Sequence, residues 1–207
     1  MKRLMILGLV SCLSVTTLVG CGKKEEVASG TNQVTTQEES KEETKEEKRS
    51  SDEMYDLYTS KLNEVEKFFE DNNIDFKEDE INRNKKYDGT VSISYENSDD
   101  NEEYSIAGYG IAFEENGEIS YITARLAMNV NDEEMKSKEF KFEETEFYKF
   151  KNILIPEIKN TDEINDKVNS TYKNLTSIDR IEIENGNIKE IFLLGDNTLV
   201  YDIIICP

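Results

Sequence analysis

Residues 104–130 read YSIAGYGIAFEENGEISYITARLAMNV. In the second half Ile122, Ala124, Leu126, Met128 and Val130 alternate with other residues, the period-two pattern of a strand with one buried face. Residues 104–113 are rich in strand formers, but their apolar phase slips near Ile106-Ala107. Gly108 and Gly110 sit beside the slip, which predicts a bulge or bend. Between the two runs, Glu115-Asn116-Gly117-Glu118 is a hairpin turn signal. An antiparallel hairpin is therefore expected here, and its flanks extend it.

On the N-terminal side Val91, Ile93 and Tyr95 mark a further strand. On the C-terminal side Phe140 and Phe142 mark the fourth of a meander. Before the meander, Met54, Leu57, Tyr58, Leu62, Val65, Phe68 and Phe69 recur at helical spacing. Ser50 and Glu53 form a capping-box pattern at the start of that helix, and Asn72-Asn73 stop it. After the meander the period changes again. Phe147, Phe150, Ile153 and Leu154 predict a helix stopped by Pro156. Ile164, Val168, Thr171, Tyr172 and Leu175 predict another, capped by Asn160 or Thr161. Strands 178–184, 188–194 and 198–205 follow, with turns at Asn185-Gly186 and Gly195-Asp196-Asn197. The last strand is apolar on both faces, which predicts a central position. The fold class is α+β: antiparallel sheet with helices packed on one side, read as two tandem helix-plus-meander units, 52–142 and 143–207. This element order resembles the β-lactamase-inhibitor-protein type of fold.

The N-terminus has a different character. Met1-Lys2-Arg3 precede an uncharged run to Gly20, near the short limit for a membrane span and weakened further as a permanent helix by its Ser and Thr residues. The run ends Leu18-Val19-Gly20-Cys21. These residues resemble the lipobox of bacterial lipoproteins. The resemblance implies a signal peptide at 1–20, cleavage after Gly20 and a diacylglyceryl group on the sulfur of Cys21, with palmitate-type acyl chains. Two chains give stable attachment where one gives only reversible binding. The expected localisation is the extracytoplasmic face of the cell membrane, held by the lipid anchor. Residues 22–51 are polar and mixed in charge, a disordered linker of roughly 30 Å. A single acidic domain then occupies 52–207.

Charge sharpens the list of partners. Two basic residues precede Cys21, and 22–51 hold six basic and eight acidic residues, so the whole chain's formal charge of −20 is also that of 52–207. Such a surface repels phosphate polymers, which excludes nucleic acid as an expected partner. It admits an envelope protein, a peptide or a cationic ligand. The chain has no His, which removes imidazole bases, ligands and switches. No strained-turn nucleophile, Gly-rich phosphate loop or metal-ligand spacing is present. The expected function is a non-enzymatic binding or interaction domain without a cofactor. Two alternatives stay open. A carboxylate-based hydrolase would need two acids converging in one cleft. A calcium-responsive envelope module would use the loops 97–103 and 131–136, which the meander places at one end. Asp99, Asp100 and Glu102 in the first loop, with Asp132 and Glu133 in the third, would supply oxygen ligands for Ca²⁺.

Five side chains complete the reading. Arg125 lies on the face opposite Ile122, Ala124 and Leu126, either paired with a cross-strand Glu or anchoring an acidic ligand. Tyr104, Tyr109 and Tyr121 are candidates for an exposed aromatic sheet surface. Cys206 closes an Ile-rich run and is expected to be buried.

Overall fold

The computed structural model describes residues 48–79, 87, 89–96 and 103–207. These described residues belong to one compact unit. The first helix, α1, spans Ser51–Asp71 and is set by its capping box. The Glu53 N–H donates to Ser50 Oγ, and the Ser50 N–H donates to the Glu53 carboxylate at 2.7 Å. Met54, Tyr58, Val65, Phe68 and Phe69 bury one face of it, the stripe expected of 3.6-residue spacing. Asn73 then takes a positive φ of 55° and ends the helix.

Seven strands follow: β1 (Lys77–Asp79), β2 (Ser92–Glu96), β3 (Tyr104–Phe113), β4 (Ile119–Asn129), β5 (Asp179–Asn185), β6 (Ile188–Gly195) and β7 (Thr198–Ile205). They form one sheet, ordered β1-β2-β3-β4-β7-β6-β5, with every adjacent pair antiparallel. The two segments read as tandem units thus share a single sheet, joined where β4 pairs β7. The central place expected of the last strand is observed. The bulge is observed as well, as a register shift between Tyr104 and Ile106, just before the glycines.

The meander has four strands, but not the four expected. Phe140 and Phe142 are not in a strand; Phe142–Glu144 is a 3-10 turn. The missing member is β1, three exposed charged residues with no apolar pattern to reveal it. The segment expected as a loop at 131–136 instead carries a short helix, α2 (Asp132–Ser137). Helices α3 (Glu146–Leu154) and α4 (Thr161–Asn174) stand where the periodicity puts them.

The buried residues of α1, α3 and α4 join one core cluster with one face of the sheet: Ile93, Tyr95, Tyr109, Ile122, Ala124, Leu126, Ile183, Phe192, Tyr201 and Ile203 among others. A stack of Phe192 on Tyr201, 4.5 Å between centroids, sits beneath the edges of Phe142 and Phe147. Gly110, Ala127, Ile191 and Asp202 are buried outside that cluster on the opposite face.

The β6–β7 turn shows how local backbone holds the sheet's centre. Asp196 and Asn197 both adopt positive φ, 54° and 56°, the type I′ geometry of tight hairpins. Gly195 before them has φ 126°, and a Cβ there would lie 2.8 Å from the Ser177 carbonyl oxygen. Gly195→Ala is expected to cost more than about 1 kcal/mol, since it meets both strain and a backbone clash. A urea unfolding midpoint checks this; an unchanged midpoint would mean that the Ser177 segment moves aside freely.

Candidate functional site

Helices of the described residues cover one face of the sheet. The other face is set by the register, and three rows of side chains cross it from β2 to β5. One row runs Glu96, Ile106, Ala127, Val200, Leu193, Arg180. The next runs Ser94, Gly108, Arg125, Asp202, Ile191, Glu182. The third runs Ser92, Gly110, Thr123, Ile204, Lys189, Glu184. The first row is apolar across four strands and charged at both ends. Its Ile106 is 41% exposed, while Val200 and Leu193 are half-buried. Among the described residues this face combines apolar area with fixed charge.

At its middle, Arg125 and Asp202 are directly opposed on β4 and β7. The guanidinium is bidentate, with Nε to Oδ1 at 2.6 Å and Nη2 to Oδ2 at 2.7 Å. The hydrogen bonds to Asp202 raise the Arg125 pKa further above its usual value. The expected cross-strand partner is thus an Asp rather than a Glu. Toward β5 the charges pair laterally: Arg180 with Glu182 at 2.7 Å, and Lys189 with Glu184 at 2.9 Å. Of the three tyrosines, only Tyr121 shares this face, half-buried. Tyr104 and Tyr109 are 1% and 2% exposed and point into the core, where Tyr109 donates to the Tyr58 carbonyl.

The core side holds a second constellation, which the sequence reading missed. Lys151 on α3 is 1% exposed and Glu190 on β6 is fully buried. The Lys151 ammonium donates to Glu190 Oε2 and to Asn160 Oδ1, both at 2.7 Å. Asn160 Nδ2 returns to Glu190 Oε1 at 2.6 Å. The Tyr201 hydroxyl also donates to Glu190 Oε2. Asn160 is the N-cap of α4, yet makes no side-chain cap bond, because its amide is spent on this ring. Burial pushes the Lys151 pKa down, against the pull of Glu190. Burial pushes Tyr201 far up. A nucleophilic Lys would need access; this one is held by two acceptors beneath the sheet. The ring locks α3, α4, β6 and β7 together.

The proposed cation ligands are only partly visible. Asp99, Asp100 and Glu102 lie outside the described residues. Asp132 and Glu133 stand in the first turn of α2 and turn apart. The Asn197 N–H donates to Asp132 Oδ2 at 3.1 Å, while Glu133 pairs with Lys136 at 2.9 Å and is 84% exposed. Among the described residues no group of three or more acidic or thiol side chains could hold a metal ion. A cavity of about 550 Å³ lies between the start of α1 and the β3–β4 turn, its wall mixing Lys48 and Arg49 with Asp52 and Glu118.

Cys21 and the signal peptide lie outside the described residues. Among the described residues no helix is long and apolar enough to cross a membrane. Cys206, expected to be buried, is half-buried and anchored by paired bonds to Asn187. Comparison with family models, with curated proteins and with solved structures finds no match.

Proposed function

We propose that this chain is a lipid-anchored extracytoplasmic protein whose domain acts by association rather than catalysis, presenting the helix-free face of its sheet. One observation carries the reading: a row apolar across four strands lies beside the bidentate Arg125–Asp202 pair on a face that no described helix covers. Apolar area with a fixed, geometrically specific charge pair is how protein surfaces combine affinity with register. The lipobox-like Leu18-Val19-Gly20-Cys21 supplies the anchor, and the polar linker behind it gives the domain reach from the bilayer.

The anchor is tested by mass spectrometry of the protein from membranes of its producing cell. The expected N-terminal peptide begins at Cys21 and carries a diacylglyceryl thioether. A sulfur holds either that thioether or a disulfide. A peptide linking Cys21 to Cys206, or a chain retaining residues 1–20, would therefore overturn the lipid assignment.

A further inference from the structure

We propose that the open face binds the same face of a second copy of this chain, about a two-fold axis parallel to the strands and centred between β4 and β7. The inference rests on that face being the association surface, and it names the partner.

The argument is the pattern of the three rows. A two-fold axis between β4 and β7 places β2 against the partner's β5, β3 against its β6 and β4 against its β7. Every row then meets itself reversed. In the first row Glu96 faces the second copy's Arg180, Ile106 faces its Leu193 and Ala127 faces its Val200. In the second row Arg125 faces the other Asp202, so that the two bidentate pairs close into an alternating ring of four charges. Gly108 faces the other Ile191, and in the third row Gly110 faces the long side chain of Lys189. Small residues on one half of the face thus oppose large ones on the other, Glu96 and Asp202 oppose arginines, and Glu182 and Glu184 oppose Ser94 and Ser92. An isologous interface requires such self-complementarity.

Two further observations point the same way. The six strands hold Arg125, Arg180 and Lys189 against Glu96, Glu182, Glu184 and Asp202 on this face, a near-balance within a chain of charge −20. A surface facing only water in so acidic a domain has no reason to be nearly neutral; one that meets its own copy does. Gly108 supplies the second. Its φ is not positive, and a Cβ there would meet only the Ile93 carbonyl oxygen at 3.5 Å, an ordinary contact. The fold itself does not ask for glycine at this position. Glycine inside a strand costs stability and marks close approach by something else. Gly110 differs, because a Cβ there would lie 2.8 Å from that of Ser92.

The geometry is that of a sandwich. Sheets pack about 10 Å apart and rotated by about 30°. At a rim about 12 Å from the axis, that rotation shifts facing residues by about 6 Å, within the reach of an arginine side chain. Six strands at about 4.8 Å and three rows about 6.8 Å apart outline a face of roughly 600 Å², somewhat under the about 800 Å² per partner of a standard interface.

The test uses charge reversal at the rim and native mass spectrometry of the full chain released from detergent. The wild type is expected to be dimeric. Glu96→Arg alone sets Arg against Arg, and Arg180→Glu alone sets Glu against Glu, so each single variant should weaken the dimer by about tenfold or more. Mixing the two restores both attractive pairs, and a heterodimer of mixed mass should form. A second variant, Gly108→Val, places a β-branched side chain in a strand; at concentrations where the wild type is monomeric it should leave the unfolding midpoint unchanged or raised, and at higher concentration it should fail to dimerise. A monomeric wild type, single variants that dimerise as the wild type does, or a mixture that yields no heterodimer would each overturn the proposal. A monomeric chain that still carries lipid on Cys21 would remove self-association and leave the tethered-domain reading standing.

Discussion

Lys151→Met is expected to destabilise the domain by about 3–5 kcal/mol, the cost of leaving a buried charge without its counter-ion. Glu190 is fully buried, and its carboxylate is held by Lys151, Asn160 and Tyr201. Methionine fills the volume of the lysine stem, so little of the loss comes from packing. What remains is a carboxylate with two neutral donors and no cation. The double variant Lys151→Met with Glu190→Gln should recover to within about 1–2 kcal/mol of the wild type. Its amide oxygen still accepts from Tyr201, and its amide nitrogen can donate to Asn160 Oδ1, which the first change leaves without a donor. Urea unfolding of the two variants and the wild type decides the point. A double variant as unstable as the single one would show that the loss does not come from an unpaired charge on Glu190.

Much of this ring could have been found in the sequence. In β6 the core-facing positions are Ile188, Glu190, Phe192 and Leu194, so Glu190 breaks an otherwise apolar alternation. In α3, Lys151 lies one turn from both Phe147 and Leu154, on the buried stripe. Each residue seen alone reads as an ordinary charge on an acidic, Lys-rich chain. Only the pairing of two such interruptions, 39 positions apart, makes them a constellation, and periodicity carries no information about pairing. The misassigned strand at Phe140 and Phe142 has a different cause. Its alternation is real, but its partner is a helix. Asn169 accepts from the Phe140 N–H and donates to the Phe140 carbonyl, and Asn165 accepts from the Phe142 N–H. Asn165 and Asn169, four apart on α4, thus take the place of a neighbouring strand. Likewise Asp132 and Glu133, read as cation ligands, serve a helix N-terminus, where Asn131 Oδ1 accepts from the Glu133 and Glu134 N–H groups and the helix dipole favours negative charge. Helix positions, hairpin turns and the central place of β7 were legible because burial imposes them on one element at a time. The open face was legible only as Arg125, because its rows exist across strands.

Alkaline pH is expected to unfold the domain steeply above about pH 10. Tyr58, Tyr104, Tyr109, Tyr172 and Tyr201 are each at most 2% exposed, and burial raises the pKa of all five. In the unfolded chain a tyrosine ionises near pH 10. Above that pH the unfolded state binds fewer protons than the folded one, so stability falls as pH rises. It is fully present below about pH 10 and is lost toward the raised folded-state values. Each tyrosine contributes up to about 1.4 kcal/mol per pH unit, and five together up to about 7, enough to exhaust an ordinary domain's stability within about two units. Lys151 acts with the opposite sign. Its folded pKa is lowered, so between that value and about 10.4 the unfolded state holds the extra proton and rising pH is stabilising. One lysine is outweighed by five tyrosines once pH 10 is passed. The measurement follows tyrosinate absorbance and far-ultraviolet circular dichroism through the same titration. The five core tyrosines should ionise only together with the collapse of the dichroism. Full tyrosinate formation near pH 10 in a chain that keeps its dichroism would mean that these five hydroxyls reach water in the folded state, and that the aromatic core does not exclude it.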